Sequence, residues 1–204
     1  MSASPKQPNP TLDYYSGHAD AYAARTQSDR NRYFVDEFTR GLPAGAAILD
    51  LGCGAGWAAV EFERRGYDAH AADGCPELVT IASTRLKRPA RVMLFDELTE
   101  NAAYDGIFAN AVLHHLPKSA MPGVMKRIAR ALRPAGRLFA SFKQGEGEHS
   151  DRLGRFYAYY TQEELQRLVW ATPDLAFDRI LRQEGLDFAN EPQVFLGVLA
   201  HRPA

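Results

Sequence analysis

Two cysteines in 204 residues are too few for a disulfide framework. They stand at Cys53 and Cys75, and neither has a partner at Cys-x-x-Cys spacing, which argues against zinc binding and dithiol chemistry; no metal site is expected. Charge of neither sign predominates, with 24 Lys and Arg against 25 Asp and Glu and a net charge of -1. Such a balance lacks the basic footprint that duplex DNA or an anionic membrane calls for, so no DNA and no membrane partner is expected. No apolar run approaches the roughly 20 residues of a membrane span. The opening MSASPKQPNP is polar and Pro-rich, without the basic and apolar regions of a signal peptide. These absences lead to the expectation of a cytoplasmic protein with a flexible tail over residues 1–13.

What is present fits one domain over residues 14–204. The chain is 46% hydrophobic and 24% charged, ordinary values for a globular protein of this length. Tyr14 to Arg40 is polar and aromatic with few breakers after Gly17, and reads as one or two helices forming a cap over 14–41. Ala46 to Leu51 is a short apolar run ending in glycines, which predicts a buried strand. Helices are predicted over Trp57 to Arg65, Pro76 to Leu86, Ser119 to Leu132 and Thr161 to Trp170. The last of these opens on a capping-box pattern from Thr161 to Glu164. Further strands are predicted at Asp68 to Ala72, Arg91 to Phe95, Gly106 to Ala111, Arg137 to Phe142, Phe177 to Gln183 and Val194 to His201. Strands and helices alternate, which predicts a mostly parallel sheet with helices on both faces. Gly185 to Pro192 is too short for a parallel crossover of about ten residues or more, so the last two strands pair as a hairpin and one runs antiparallel.

The sharpest local feature is ILDLGCGAGW, Ile48 to Trp57. A buried strand runs into Gly52, Gly54 and Gly56, whose missing Cβ atoms permit a tight turn and close approach of a ligand. Asp73 follows at the end of the second strand, 21 residues after Gly52. An acid at about that distance accepts hydrogen bonds from both ribose hydroxyls, so the pair specifies a nucleoside-containing ligand. A dinucleotide is disfavoured because Trp57 stands where its fingerprint wants a third glycine. Asp50 is unwelcome beside a pyrophosphate and acceptable beside an amino-acid ammonium group.

With these residues in place the sequence resembles a class I S-adenosylmethionine (SAM)-dependent methyltransferase from about Tyr14 to Arg202. The resemblance is carried by DLGCGAG (50–56), Asp73, LFDEL (94–98), YDGIFANAVLHHLP (104–117) and IARALRPAGRLFASF (128–142). It implies a Rossmann-like seven-stranded α/β sheet with an antiparallel last strand, SAM as cofactor and S-adenosylhomocysteine as its product. It also implies that Gly52, Cys53 and Gly54 face the methionine part. Asp73 would hold the ribose, with Gly74 leaving space beside it. Phe95, Asp96 and Leu98 would close over the adenine, and Asn110 and Ala111 would lie under the methionyl chain. The segment YYSGHADAYAAR resembles the cap of small bacterial members, from which Tyr15, Tyr22 and Arg25 would reach the cofactor. Arg25 offers a carboxylate two parallel donors.

Methyl transfer needs a general base only when the acceptor atom must lose a proton. His115, beside His114 after the fourth strand, is the candidate. The segment Ser141 to Leu165 follows the fifth strand at the ligand end and is expected to cover a small, polar or acidic acceptor, with Lys143, Arg155 and Tyr160 in contact. Other readings are a SAM-binding protein without transfer activity, a nicotinamide-dependent oxidoreductase, and a tRNA methyltransferase using Arg85, Lys87, Arg88 and Arg91. Acceptor identity, acceptor atom and oligomeric state, monomer or homodimer, are open at this point.

Overall fold

The computed structural model describes residues 9–26, 32–186 and 191–204. Three short helices come first: α1 (Pro10–Gly17), α2 (Ala19–Arg25) and α3 (Arg32–Thr39). Helix α1 begins inside the stretch expected to be a flexible tail, and that expectation is corrected for residues 10–13. The cause is local: the Asn9 side chain accepts from the Leu12 amide, and Pro10 occupies the first turn where its missing N–H costs nothing. Residues 1–8 lie outside the described residues.

The rest of the chain alternates as expected. The strands are β1 (Ala47–Leu51), β2 (Asp68–Asp73), β3 (Arg91–Val92), β4 (Tyr104–Ala109), β5 (Leu132–Lys143), β6 (Glu148–Ser150), β7 (Phe156–Ala158), β8 (Ala176–Leu186) and β9 (Pro192–His201). The intervening helices are α4 (Trp57–Arg64), α5 (Pro76–Ser83), α6 (Met121–Ala131) and α7 (Gln162–Trp170). Seven strands form one sheet in the order β3-β2-β1-β4-β5-β9-β8. β1 to β5 pair in parallel, and β9 lies antiparallel between β5 and β8, closing the predicted hairpin. The predicted Thr161–Glu164 capping box is formed, each residue's side chain accepting from the other's amide. Among the described residues no helix is long and apolar enough to cross a membrane.

Strand residues alternate between the two faces. Ile48, Phe108, Phe139 and Leu199 meet Phe34 and Phe38 of α3 and Phe62 of α4, with Phe108 stacked on Phe139 at 4.8 Å. Leu49, Ile107, Leu138 and Leu196 meet Val124 and Ile128 of α6 and Leu165 of α7. Each fully buried side chain of this kind contributes about 1.5–3 kcal/mol, so both helical layers are fastened to the sheet. The chain leaves β1 toward β2 on one side and later β4 toward β5 on the other. That reversal opens a crevice at the carboxyl ends of β1 and β4, the place where open α/β sheets bind ligands.

Candidate cofactor and acceptor site

The loop after β1 is held tight by two amides, those of Gly52 and Cys53, both donating to the Ala72 carbonyl. Gly52 has φ of +77°, and a Cβ there would fall 2.2 Å from a Val112 methyl carbon. Only glycine fits. Gly54 has φ of +52° and lies under the Tyr22 ring of α2, which would be 3.1 Å from an added Cβ. Asp73 braces the same loop from β2: its two carboxylate oxygens accept from the amides of Gly54 and Cys75, each at 2.8 Å. Burial pushes the Asp73 carboxyl up, against those backbone donors. Asp50 is 2% exposed and accepts from the Ala59 amide at 3.1 Å. Burial, helped by the nearby charge of Asp73, pushes it up to about 8. Among the described residues neither carboxylate has a Lys, Arg or His within ion-pair distance. Two buried acids without a cation are costly, and a cationic ligand would relieve them.

At the end of β4, Ala111 is held in the left-handed region, φ +53°, its amide donating to Ser141 Oγ at 2.8 Å. Ser141 Oγ in turn donates to Asn110 Oδ1 at 2.7 Å. A non-glycine residue in that region costs on the order of 1 kcal/mol or more, and it turns Asn110 toward the crevice.

Two cavities meet here, sharing Tyr15, Tyr22, Gly52, Asn110 and Ala111 in their walls. The larger, about 490 Å³, is lined by Asp73, Gly74, Met93, Leu94, Phe95, Asp96 and His115, and is roofed by Asn9, Thr11 and Leu12 of the cap. The smaller, about 180 Å³, is lined by Arg25, Asp50, Cys53, Trp57, His114, Lys143, Arg155, Tyr157 and Phe195. Of the cofactor, acceptor and base candidates named from the resemblance and the segment after the fifth strand, all but two reach one cavity or the other. Leu98 does not: it is fully buried in the core, because the 3-10 turn Phe95–Glu97 presents Phe95 and Asp96 to the cavity and then swings the chain inward. Tyr160 does not either. It lies three residues beyond the cavity-lining Tyr157, on the opposite face of an extended chain, and packs against Phe142 with Lys118 over its ring.

The histidines differ. His114 is 2% exposed, and its buried Nδ1 has no hydrogen-bond partner among the described residues. His115 has both nitrogens engaged. Nδ1 lies 2.7 Å from the Phe156 carbonyl, which can only accept, so Nδ1 donates and carries the proton. Nε2 is therefore the acceptor of the Tyr15 hydroxyl at 3.1 Å. Burial holds His115 neutral, lowering it to about 4, against the Phe156 carbonyl that favours the cation. Burial also raises the Tyr15 phenol to about 12, opposed by the Arg155 guanidinium.

Sequence reasoning missed the β6–β7 hairpin. It rises from the segment after β5 and is tied to the cap: the Phe156 amide donates to Thr11 Oγ1 at 2.9 Å, and the Arg155 guanidinium sits 4.8 Å from the Tyr14 ring. It also missed the cap's Asn9, Thr11 and Leu12. The Asn-Pro pair at 9–10 was the available signal, hidden in a Pro-rich stretch.

Residues 22–190 match a family profile described as a methyltransferase domain. A ubiquinone biosynthesis O-methyltransferase of Xylella fastidiosa is 30% identical over 115 residues, covering 52% of this chain and 46% of that protein. The chain thus matches about half the length of the curated relatives it resembles. Among solved structures, Burkholderia thailandensis 1,6-didemethyltoxoflavin-N1-methyltransferase, with its substrate and S-adenosylhomocysteine bound, has a TM-score of 0.79 at 24% identity over 100% of this chain and 92% of that one. Haemonchus contortus phosphoethanolamine N-methyltransferase 2, in complex with phosphomonomethylethanolamine and S-adenosylhomocysteine, has a TM-score of 0.76 at 15% identity, covering 98% and 62%.

Proposed function

The chain belongs to the methyltransferase-domain family, and from that premise we propose that it transfers the methyl group of SAM to a small polar acceptor. The observation that carries this reading is the pair of cavities meeting at Gly52 and Asn110, one suited to an adenosine and the other to the methionyl chain with an acceptor beside it. The site fits SAM on its own evidence. Two buried acids, neither with a cationic partner among the described residues, face a ligand that brings a sulfonium and an ammonium group, and the larger cavity is of drug-like size. Asp73 would hold the ribose diol, Phe95 and Asp96 the adenine, and Asp50 the ammonium group, with Arg25, Tyr22, Asn110 and Ala111 about the methionyl chain. When bound, SAM supplies an electrophilic methyl carbon: the acceptor's lone pair forms the new bond as the carbon–sulfur bond breaks and its electrons return to sulfur.

The chain's own residues position the acceptor and, where it carries a proton, take that proton. Tyr15 stands at the junction of the cavities with its hydroxyl donated to neutral His115. A proton leaving the acceptor passes to the Tyr15 oxygen as Tyr15 passes its own to His115 Nε2. The tRNA alternative gains nothing from the basic cluster: Arg88 and Arg91 are paired with Asp68 and Glu100, and Arg85 donates to the Ala55 carbonyl.

The first test is calorimetric titration with SAM, S-adenosylhomocysteine and NADH. Micromolar binding of the first two is expected; binding of NADH alone would sink the reading. A second expectation concerns protons. Asp50 is protonated in the free protein below about pH 8 and ionised beside an ammonium group, so SAM binding at pH 7 releases a proton and tightens as pH rises toward 8. Titration in buffers of different ionisation enthalpy measures the release. Asp50→Asn should remove it, and release unchanged in that variant would dissociate Asp50 from the ammonium group.

A further inference from the structure

The smaller cavity has an acid on one side and two cations on the other. Asp50 lies beside the glycine loop at the end of β1. Lys143 ends β5, separated from β1 by β4, and Arg155 comes from the hairpin segment beyond it. Both cations are buried, Lys143 at 6% exposure and Arg155 at 3%, and both flank the Tyr157 ring, at 4.3 and 5.4 Å from its centroid. We propose that the acceptor carries an anionic group, a carboxylate or a phosphate, and that Lys143 and Arg155 bind it beside Tyr157. The proposal rests on the methyl-transfer reading above and deepens it.

Asp151 takes one edge of Arg155, accepting from Nε at 2.9 Å and Nη2 at 2.6 Å, and so fixes the plane of the fork. An oriented guanidinium suits a planar or tetrahedral oxyanion, and a lysine beside it adds a point charge of the same sign. The two histidines nearby bring no competing positive charge, since burial keeps both neutral. Tyr157 and Phe195 give the cavity apolar walls, and its volume of about 180 Å³, shared with the methionyl chain on the Asp50 and Arg25 side, restricts the body that bears the anion to a small one.

The competing occupant of these cations is the carboxylate of the cofactor itself, and the test separates the two. Protein saturated with S-adenosylhomocysteine is titrated calorimetrically with benzoate, phenyl phosphate and the neutral benzamide. At least one anion should bind about tenfold or more tightly than benzamide. Which of the two does so identifies the anion as carboxylate or phosphate. Lys143→Met should weaken that anion by about tenfold or more while S-adenosylhomocysteine affinity stays within about threefold. Benzamide binding as well as both anions, or neither anion binding at all, overturns the proposal on the wild-type protein alone, without reliance on a variant that folds. A tenfold loss of S-adenosylhomocysteine affinity in Lys143→Met assigns the lysine to the cofactor and overturns it equally. Wild-type protein that does not bind S-adenosylhomocysteine fails at the first step, before any anion is added, and takes down the methyl-transfer reading with this one.

Discussion

Asp73→Ala should weaken SAM and S-adenosylhomocysteine binding by about 100-fold or more, because two hydrogen bonds from the ribose to a charged group are each worth about 1.5–3 kcal/mol. The same side chain braces the protein. Its oxygens accept from Gly54 and Cys75, so alanine leaves two buried amides without partners at about 1–3 kcal/mol apiece. A fall in thermal midpoint should accompany the loss of affinity. Asp73→Asn separates the contributions: its amide oxygen still accepts from one backbone N–H, so more of the stability returns than of the binding. Calorimetry and thermal unfolding on the two variants measure both. Wild-type affinity in Asp73→Ala would remove the ribose assignment and with it the basis for the cofactor's orientation.

The second large effect is expected at Tyr15. On an acceptor that must lose a proton, Tyr15→Phe should lower kcat by about 10²–10⁴-fold with cofactor affinity nearly unchanged, the range typical of lost acid–base catalysis. His115→Ala should do the same, and the double variant should be no worse than either, since the two act as one relay. The pH dependence has a definite sign. His115 accepts only while neutral, and its folded value is about 4, so this contribution is present above that pH and disappears as pH falls through it. The wild-type rate should lose His115's contribution only near pH 4, well below the ordinary histidine range. Full turnover in Tyr15→Phe would show that the acceptor reacts without proton transfer, as a neutral amine can.

The layered fold was legible because β1, β4 and β5 are short apolar runs set between helical patterns, and because the eight residues from Gly185 to Pro192 cannot carry a parallel crossover. The loop and its acid were legible because glycines at that spacing admit a tight turn, and the structure has Gly52 where an added Cβ would meet Val112 and Asp73 bracing the loop from the end of β2. Boundaries were harder. Arg133-Pro134-Ala135-Gly136 reads as a stop, yet β5 runs through it. Ala135 takes a left-handed conformation, φ +61°, and its amide reaches the Arg202 carbonyl, so the turn becomes an irregularity inside the ladder. β3 ended at Val92 instead of Phe95 because an edge strand with one neighbour gains little from further pairing, and the chain is needed for the 3-10 turn over the cavity. The β6–β7 hairpin left no trace in periodicity, each strand being three residues long. Leu98 and Tyr160 were misplaced for a shared reason: proximity in sequence to a site says nothing of the side on which a side chain emerges.

The ties between cap and hairpin bear on the tempo of the reaction. Thr11 and Phe156, and Arg155 and Tyr14, join the cover of the larger cavity to the hairpin beside its neighbour. Two ligands under one joined cover do not leave independently. Under the proposed reaction, demethylated cofactor and methylated product would share that clasp, its opening would set a common residence time for both, and a turnover limited by that opening would be insensitive to how reactive the acceptor is.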